Sequence, residues 1–414
     1  MATEPTTDVS TDAADATDTA TLGGPAELAS DHITTSTRDQ AELGRRIETW
    51  LAGVLPEGAS PTVAEIVKPD GNGMSSETLL FSASWTGEDG EPVARRCVAR
   101  IEPELDKVPV FPTYDLAMQY RVMSVLGEAT DVPVPETLWF EGDASVIGAP
   151  FFVMARVDGD VPRDVLPYTF DENWVSGATP EQRRTLQDSA VRALAGIHQI
   201  TPESHDLSFL SDFTAIADTP VPPPGPGATA LERHLAGWER YHEWVVGDER
   251  STLLDACFAW LRANLPDTTE ARLSWGDARI GNMMFVDWEV TAVLDWEMAG
   301  LAPPEVDLGW MSYLHLFFQD LAVDLGAPGV AGFLQPADVA ATYAEASGRT
   351  PADLTWYLAY AAMRHGVIMR RVTERAVLFG EAVRPPDLDD MIIHRQTLQQ
   401  MLDGTYWSKP GLTL

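Results

Sequence analysis

The sequence predicts an α+β chain in two lobes, a small antiparallel β lobe followed by a larger helical one. Three observations predict it. At 414 residues the chain exceeds what one hydrophobic core usually covers, so two lobes with a cleft between them are expected. Residues 60–157 hold five strand-like runs bounded by turn residues, with one helical stretch among them. Beyond Gly159 the pattern is helical, and it is interrupted once by a polar stretch that reads as loop, strand, turn and strand.

Residues 1–36 are dominated by Thr, Asp and Ala and bury too little to offset ordering entropy, so they read as a disordered acidic tail. The first lobe spans 37–157. It opens with TRDQAELGRRIETWLAGVLP, where Thr37 and Gln40 match a capping box and Leu43, Ile47, Leu51 and Val54 recur at helical spacing up to Pro56. The runs TVAEIVKP, ETLLFSASW and VARRCVARIEP, separated by DGNGMSS and GEDGEP, predict an antiparallel meander. A helix over YDLAMQYRVMSVLGEA follows, then strands in DVPVPETLWFEGD and APFFVMARVDG. The second lobe, 158–414, carries helices in EQRRTLQDSAVRALAGIHQI, ALERHLAGWERYHEWVVG and ERSTLLDACFAWLRANL, and three or four more after residue 305. The loop VPPPGPGA is too proline-rich for an element.

Composition narrows the function. A chain that is 45% hydrophobic and 22% charged is globular, but 63 acidic against 28 basic residues give a net charge of −35. Such a chain repels phosphate backbones and anionic bilayers, so no nucleic-acid or membrane partner is expected. Cys97 and Cys257 lie in apolar runs and read as reduced core thiols. The N-terminus lacks the basic and apolar regions of a secretory signal, and the best apolar run, WYLAYAAMRHGVIM, is broken by Arg364 and His365. A soluble cytoplasmic protein is expected.

The polar interruption is SWGDARIGNMMFVDWEVTAVLDWE, residues 274–297. Packing alone does not want Asp277, Asn282 and Asp295 among strand formers. A β lobe, a helical lobe and one polar hairpin entering the second lobe is the layout of the protein-kinase-like fold. There the catalytic loop carries a base aspartate, a metal-binding asparagine five residues on, and a second metal-binding aspartate after the next strand. Asp277 and Asn282 have that spacing, and Asp295 follows the runs MMFV and TAVL. Four intervening residues turn the chain so that a hydroxyl-orienting carboxylate and a metal ligand face one phosphoryl group. Mg²⁺ takes oxygen ligands and keeps several waters, so one amide, one carboxylate and nucleotide phosphates suffice.

The segments WGDARIGN and AVLDWEMAGLAPPEVDLGW resemble the aminoglycoside phosphotransferase and choline kinase-like family, whose motif is HGD, four residues and Asn, then a strand and DWE. They are especially similar to the kinase-like domain attached to certain eukaryotic acyl-CoA dehydrogenases and to actinobacterial phosphotransferases. The resemblance covers about residues 60 to 375. It implies an ATP- and Mg²⁺-dependent transfer of the γ-phosphoryl group to a hydroxyl of a small molecule. Asp277 would be the catalytic carboxylate, Arg279 the cation beside the moving phosphoryl group, Asn282 and Asp295 the Mg²⁺ ligands, and Asp307 a scaffold accepting hydrogen bonds from the loop backbone.

In the first lobe the resemblance gives Arg100 the place of the strand-three lysine that pairs with ATP phosphates, with Gln119 as its hydrogen-bonded helix partner. GNGMSS resembles a phosphate-covering loop, in which Gly71 and Gly73 allow backbone approach and Ser75 or Ser76 donate. The backbone from Met154 to Val157 would meet adenine. Two departures stand out: Trp275 replaces the family's histidine, and Gln119 its glutamate. They motivate an alternative, a nucleotide-binding pseudokinase or regulatory module, with nucleotidyl transfer a third reading. The likeness to the dehydrogenase-attached domains favours a metabolite over an aminoglycoside as acceptor. His198 reads as a satisfied core histidine, and the aromatic residues of GWERYHEWVV as core packing.

Overall fold

A computed structural model describes residues 38–69, 76–104, 108–164, 166–210, 216 and 219–414. The expected tail over 1–36, Thr37, and Gly71, Gly73 and Ser75 of the glycine loop lie outside the described residues. Helix α1 (Gln40–Val54) is capped by Asp39, whose carboxylate accepts from the Glu42 N–H at 2.8 Å. The cap is therefore two residues later than the Thr37 box, because a carboxylate three residues before Glu42 already satisfies that donor.

Five antiparallel strands follow: β1 (Thr62–Val67), β2 (Glu77–Thr86), β3 (Pro92–Ile101), β4 (Thr137–Glu141) and β5 (Phe151–Ala155), in the spatial order β1-β2-β3-β5-β4. The meander holds for the first three strands, and β5 then takes the central place beside β3. Phe151 to Met154 are all buried, so this strand needs neighbours on both edges, whereas β4 is partly exposed and suits the rim. Between β3 and β4 comes α2 (Leu116–Ala129), capped by Asp115.

The period of two along β3 divides its side chains between two cores. Cys97, Ala99 and Ile101 pack with Leu43, Ile47 and Leu51 of α1. Val98 faces the other way, with Phe152, Met154 and the α2 residues Val122 and Leu126, into the core shared with the helical lobe. Arg100 has the parity of Val98 and so lies on the side of the sheet turned to that lobe.

The helical lobe is built from α3 (Pro180–Ile197), α4 (Ala230–Val246), α5 (Thr252–Ala263), α6 (Glu305–Asp324), α7 (Pro336–Ser347), α8 (Thr355–Leu378) and α9 (Arg395–Asp403). Two of them open with capping boxes, Thr179 with Gln182 and Thr229 with Glu232. The polar stretch forms the hairpin β7 (Met283–Val286) and β8 (Glu289–Val293), turning through Asp287 and Trp288, both at positive φ. Flanking it, β6 (Arg272–Ser274) pairs with β9 (Gly300–Ala302), two three-residue strands too short to show an alternation in sequence. Cys97 and Cys257 are free and buried, as expected. Among the described residues no helix is long and apolar enough to cross a membrane.

Candidate active site

The loop between β6 and β7 is held from below by Asp307, in the first turn of α6. Its wholly buried carboxylate accepts from Ser274 Oγ (2.9 Å), the Trp275 N–H (2.8 Å), the Gly276 N–H (2.9 Å) and His198 Nε2 (3.0 Å). Burial works against the ionised form, yet the His198 contact and the two backbone donors outweigh it and keep the carboxyl below its usual value. His198 Nδ1 meets Tyr343 Oη at 3.0 Å, so this histidine is the satisfied core residue the sequence indicated. Gly276 has φ +87°, and a Cβ there would overlap the Met298 carbonyl oxygen, so glycine is required.

Trp275, in place of the family's histidine, is fully buried, and its Nε1 donates to the carbonyls of Leu294 (2.9 Å) and Asp295 (3.1 Å). The indole thus ties the loop to the backbone that carries Asp295. Asp295 itself has φ +61°, an uncommon conformation for a residue with a side chain.

Asp277 has donors on both oxygens. Trp310 Nε1 reaches Oδ1 at 2.8 Å, Asn282 Nδ2 reaches Oδ2 at 2.7 Å, and Arg279 Nε lies 3.1 Å from each. Burial first, and then the charge of Asp295, push this carboxyl up to about 7, against the pull of Trp310 and Asn282. Arg279 also pairs through Nη1 with Asp164, whose carboxylate lies where a Cβ of Gly281 would be. Trp310 and Asp164 are site residues that the sequence reading missed. Trp310 was findable, being three residues after Asp307 on the same helix face. Asp164 had no signal, since only the fold brings it to Arg279.

On the opposite side, Arg100 donates through Nη2 to Asp295 Oδ1 at 2.9 Å and through Nη1 to Thr78 Oγ1 at 3.2 Å. Arg95 and Arg96 instead make exposed pairs with Glu136 and Asp158. The expected hydrogen bond in which Arg100 would donate to the Gln119 side-chain oxygen is not formed. Gln119 is buried with Nε2 lacking a partner, and the guanidinium goes to a carboxylate, a stronger acceptor than a neutral amide. Ser76 is buried too, with no hydrogen-bond partner for its Oγ.

Met154 remains within the sheet, paired with Val98 and Thr137. The Arg156 N–H still bonds the Arg96 carbonyl (2.8 Å), Val157 follows, and Asp160 exchanges two 2.9 Å backbone bonds with Phe285 of β7. The segment read as meeting adenine is therefore the crossing between lobes.

The donor set suits a hard cation. Asn282 commits Nδ2 to Asp277, which turns its amide oxygen to other partners, and Asp295 adds carboxylate oxygen, the ligand type Mg²⁺ takes. Among the described residues no group of three or more His, Cys, Asp or Glu side chains forms a metal cluster.

Acyl-CoA dehydrogenase family member 11 of Gallus gallus is 31% identical over 300 residues, covering 71% of this chain and 33% of that protein. Probable acyl-CoA dehydrogenase IBR3 of Arabidopsis thaliana is 26% identical over 322 residues, covering 74% of this chain and 36% of the relative. The chain thus spans about a third of the length of these curated relatives. The crystal structure of a candidate aminoglycoside phosphotransferase from Ralstonia eutropha superposes with a TM-score of 0.56 over 88% of this chain and 98% of that one, at 22% identity. This likeness establishes the protein-kinase-like fold. The profile described as "Phosphotransferase enzyme family" matches residues 81–357, well over half of the chain, which therefore belongs to that family.

Proposed function

We propose that the protein is an ATP- and Mg²⁺-dependent phosphotransferase that moves the γ-phosphoryl group to a hydroxyl of a small molecule. The observation that carries this reading is the convergence of Asp277, Asn282, Asp295 and Arg100 from a loop, a hairpin end and a facing sheet, Asn282 bonding Asp277, Arg100 bonding Asp295, and the Asp295 charge acting on Asp277. In this reading Asp277 orients the acceptor hydroxyl and takes its proton, while Arg279 supplies positive charge beside it. Asn282 and Asp295 would hold Mg²⁺, whose charge would offset that of the nucleotide phosphates. Arg100 exchanges its bond to Asp295 for a phosphate oxygen. Catalysis then rests on positioning and charge neutralisation.

The unformed Arg100 to Gln119 contact favours a second reading, a nucleotide-binding regulatory module, and one experiment separates the two. Purified protein is incubated with Mg·ATP and a panel of hydroxylated metabolites, and products are read by mass. Addition of one phosphoryl group, lost in Asp277→Ala, supports the transferase. Binding of ATP with no product across the panel supports the module, and transfer of an AMP group points to nucleotidyl transfer.

A further inference from the structure

Helix α8 places a guanidinium deep in the core among aromatic rings, where the Asp307 and Asp277 carboxylates act on its charge. Arg364, in YLAYAAMRHGV, is wholly buried. Nη2 donates to the Gly276 carbonyl at 2.8 Å, while Nε and Nη1 have no hydrogen-bond acceptor. Aromatic faces stand in for acceptors: Trp310 at 4.4 Å, Trp238 at 4.6 Å and Tyr360 at 5.6 Å from the guanidinium carbon. Withdrawing a cation from water is costly, and here the ring faces and the nearby Asp307 and Asp277 carboxylates offset that cost at a position where an apolar side chain would incur none.

What Arg364 holds indicates its use. Trp310 is the ring whose Nε1 donates to Asp277 Oδ1, and Gly276 is the residue immediately before Asp277. The other donors to the Asp277 carboxylate, Asn282 and Arg279, belong to the same loop and move with it. Trp310 comes from α6 and ties the carboxylate to the helical core. Arg364 grips the face of that ring and the backbone of the loop together, so a shift of either relative to the other strains one guanidinium.

We propose that Arg364 is a positioning residue for phosphoryl transfer, fixing the Gly276 carbonyl and the plane of Trp310 so that the indole N–H holds Asp277 in one orientation. The inference rests on the reading of Asp277 as the catalytic carboxylate. Without Arg364, the ring can tilt and the carboxylate loses its donor from outside the loop.

The test uses the full chain and the variants Trp310→Phe, Arg364→Lys and Arg364→Met, with hydrolysis of Mg·ATP in the absence of acceptor as the probe reaction. A charge-assisted hydrogen bond corresponds to about 10- to 100-fold, so kcat should fall by that factor in Trp310→Phe and Arg364→Met, less in Arg364→Lys, with KM for ATP little changed. In parallel, the indole N–H resonance of Trp310, assigned by its loss in Trp310→Phe, should move upfield in Asp277→Asn and Arg364→Met. A folded Arg364→Met protein with unchanged kcat and an unmoved resonance would overturn the inference, as would a loss appearing wholly in KM. Should Arg364→Met fail to fold, Arg364→Lys and Trp310→Phe decide by the same readouts. If the wild-type protein hydrolyses no ATP without an acceptor, the resonance alone decides the positioning, and the acceptor panel separately decides the functional reading.

Discussion

Arg100 on β3 and Asp295 after β8 meet across the cleft, guanidinium to carboxylate at 2.9 Å, in a pair that is mostly but not wholly shielded from water. In the proposed function, the cation that would meet phosphate and the anion that would hold metal neutralise each other, so nucleotide and metal would have to arrive together to replace both halves of the pair. ATP with a chelator is expected to bind much more weakly than Mg·ATP, and equal affinities in titration calorimetry would remove Asn282 and Asp295 from the metal assignment.

Arg100→Ala should raise KM for ATP by about 10- to 100-fold, the worth of a charge-assisted contact, with a smaller effect on the acceptor. Steady-state kinetics checks this, and an unchanged KM would move the phosphate contact to another arginine.

Asp277→Ala should lower turnover by about 10²- to 10⁴-fold, the usual contribution of a positioned acid or base, while Mg·ATP binding largely persists. A variant that keeps most of its turnover refutes the role given to this carboxylate.

Gly276→Ala should cost at least about 1 to 3 kcal/mol of stability, since the backbone there is left-handed and the added methyl meets the Met298 carbonyl. Thermal unfolding measures it, and a melting temperature equal to wild type contradicts the argument.

Stability should fall as pH drops from about 6.5 towards 5. Burial lowers His234 and His315 to about 3, and both sit neutral against tyrosine hydroxyls, His234 with Tyr360 and His315 with Tyr168. The unfolded chain takes up these protons near pH 6.5 and the folded chain does not. Their contribution is therefore complete above that value and declines by up to about 1.4 kcal/mol per pH unit for each histidine below it. Urea unfolding at pH 7.5 and 5.5 should show the loss, and the double variant His234→Gln/His315→Gln should lessen it, the remainder resting on His365, His394 and His242, which burial also lowers. An equal slope in the double variant would rule these two residues out.

The helices and most strands were legible because amphipathic period and turn residues are local properties. Asp277, Asn282 and Asp295 were legible for another reason, in that polar residues had no packing excuse among strand formers. The place of β5 beside β3 was not spelled out, since strand order is settled by burial across the whole sheet. The pairing of Arg100 with Asp295 instead of Gln119 depends on two residues almost two hundred positions apart. Arg364 showed in sequence merely as the break in an apolar run, and its meaning required Trp310 and Gly276 to be brought to it.

The crossing between the lobes has a mechanical consequence. Arg156 is bonded to Arg96 of the sheet and Asp160 to Phe285 of the hairpin, so three residues, Val157, Asp158 and Gly159, separate two anchored points. Fully extended, such a link spans at most roughly 14 Å between its anchored Cα atoms. The same lobes are joined again where the Val293 N–H bonds the Pro133 carbonyl, Tyr241 Oη the Val110 carbonyl and Arg371 the Pro109 carbonyl, so this short tether bounds separation at one edge while those bonds and the shared buried core resist it elsewhere.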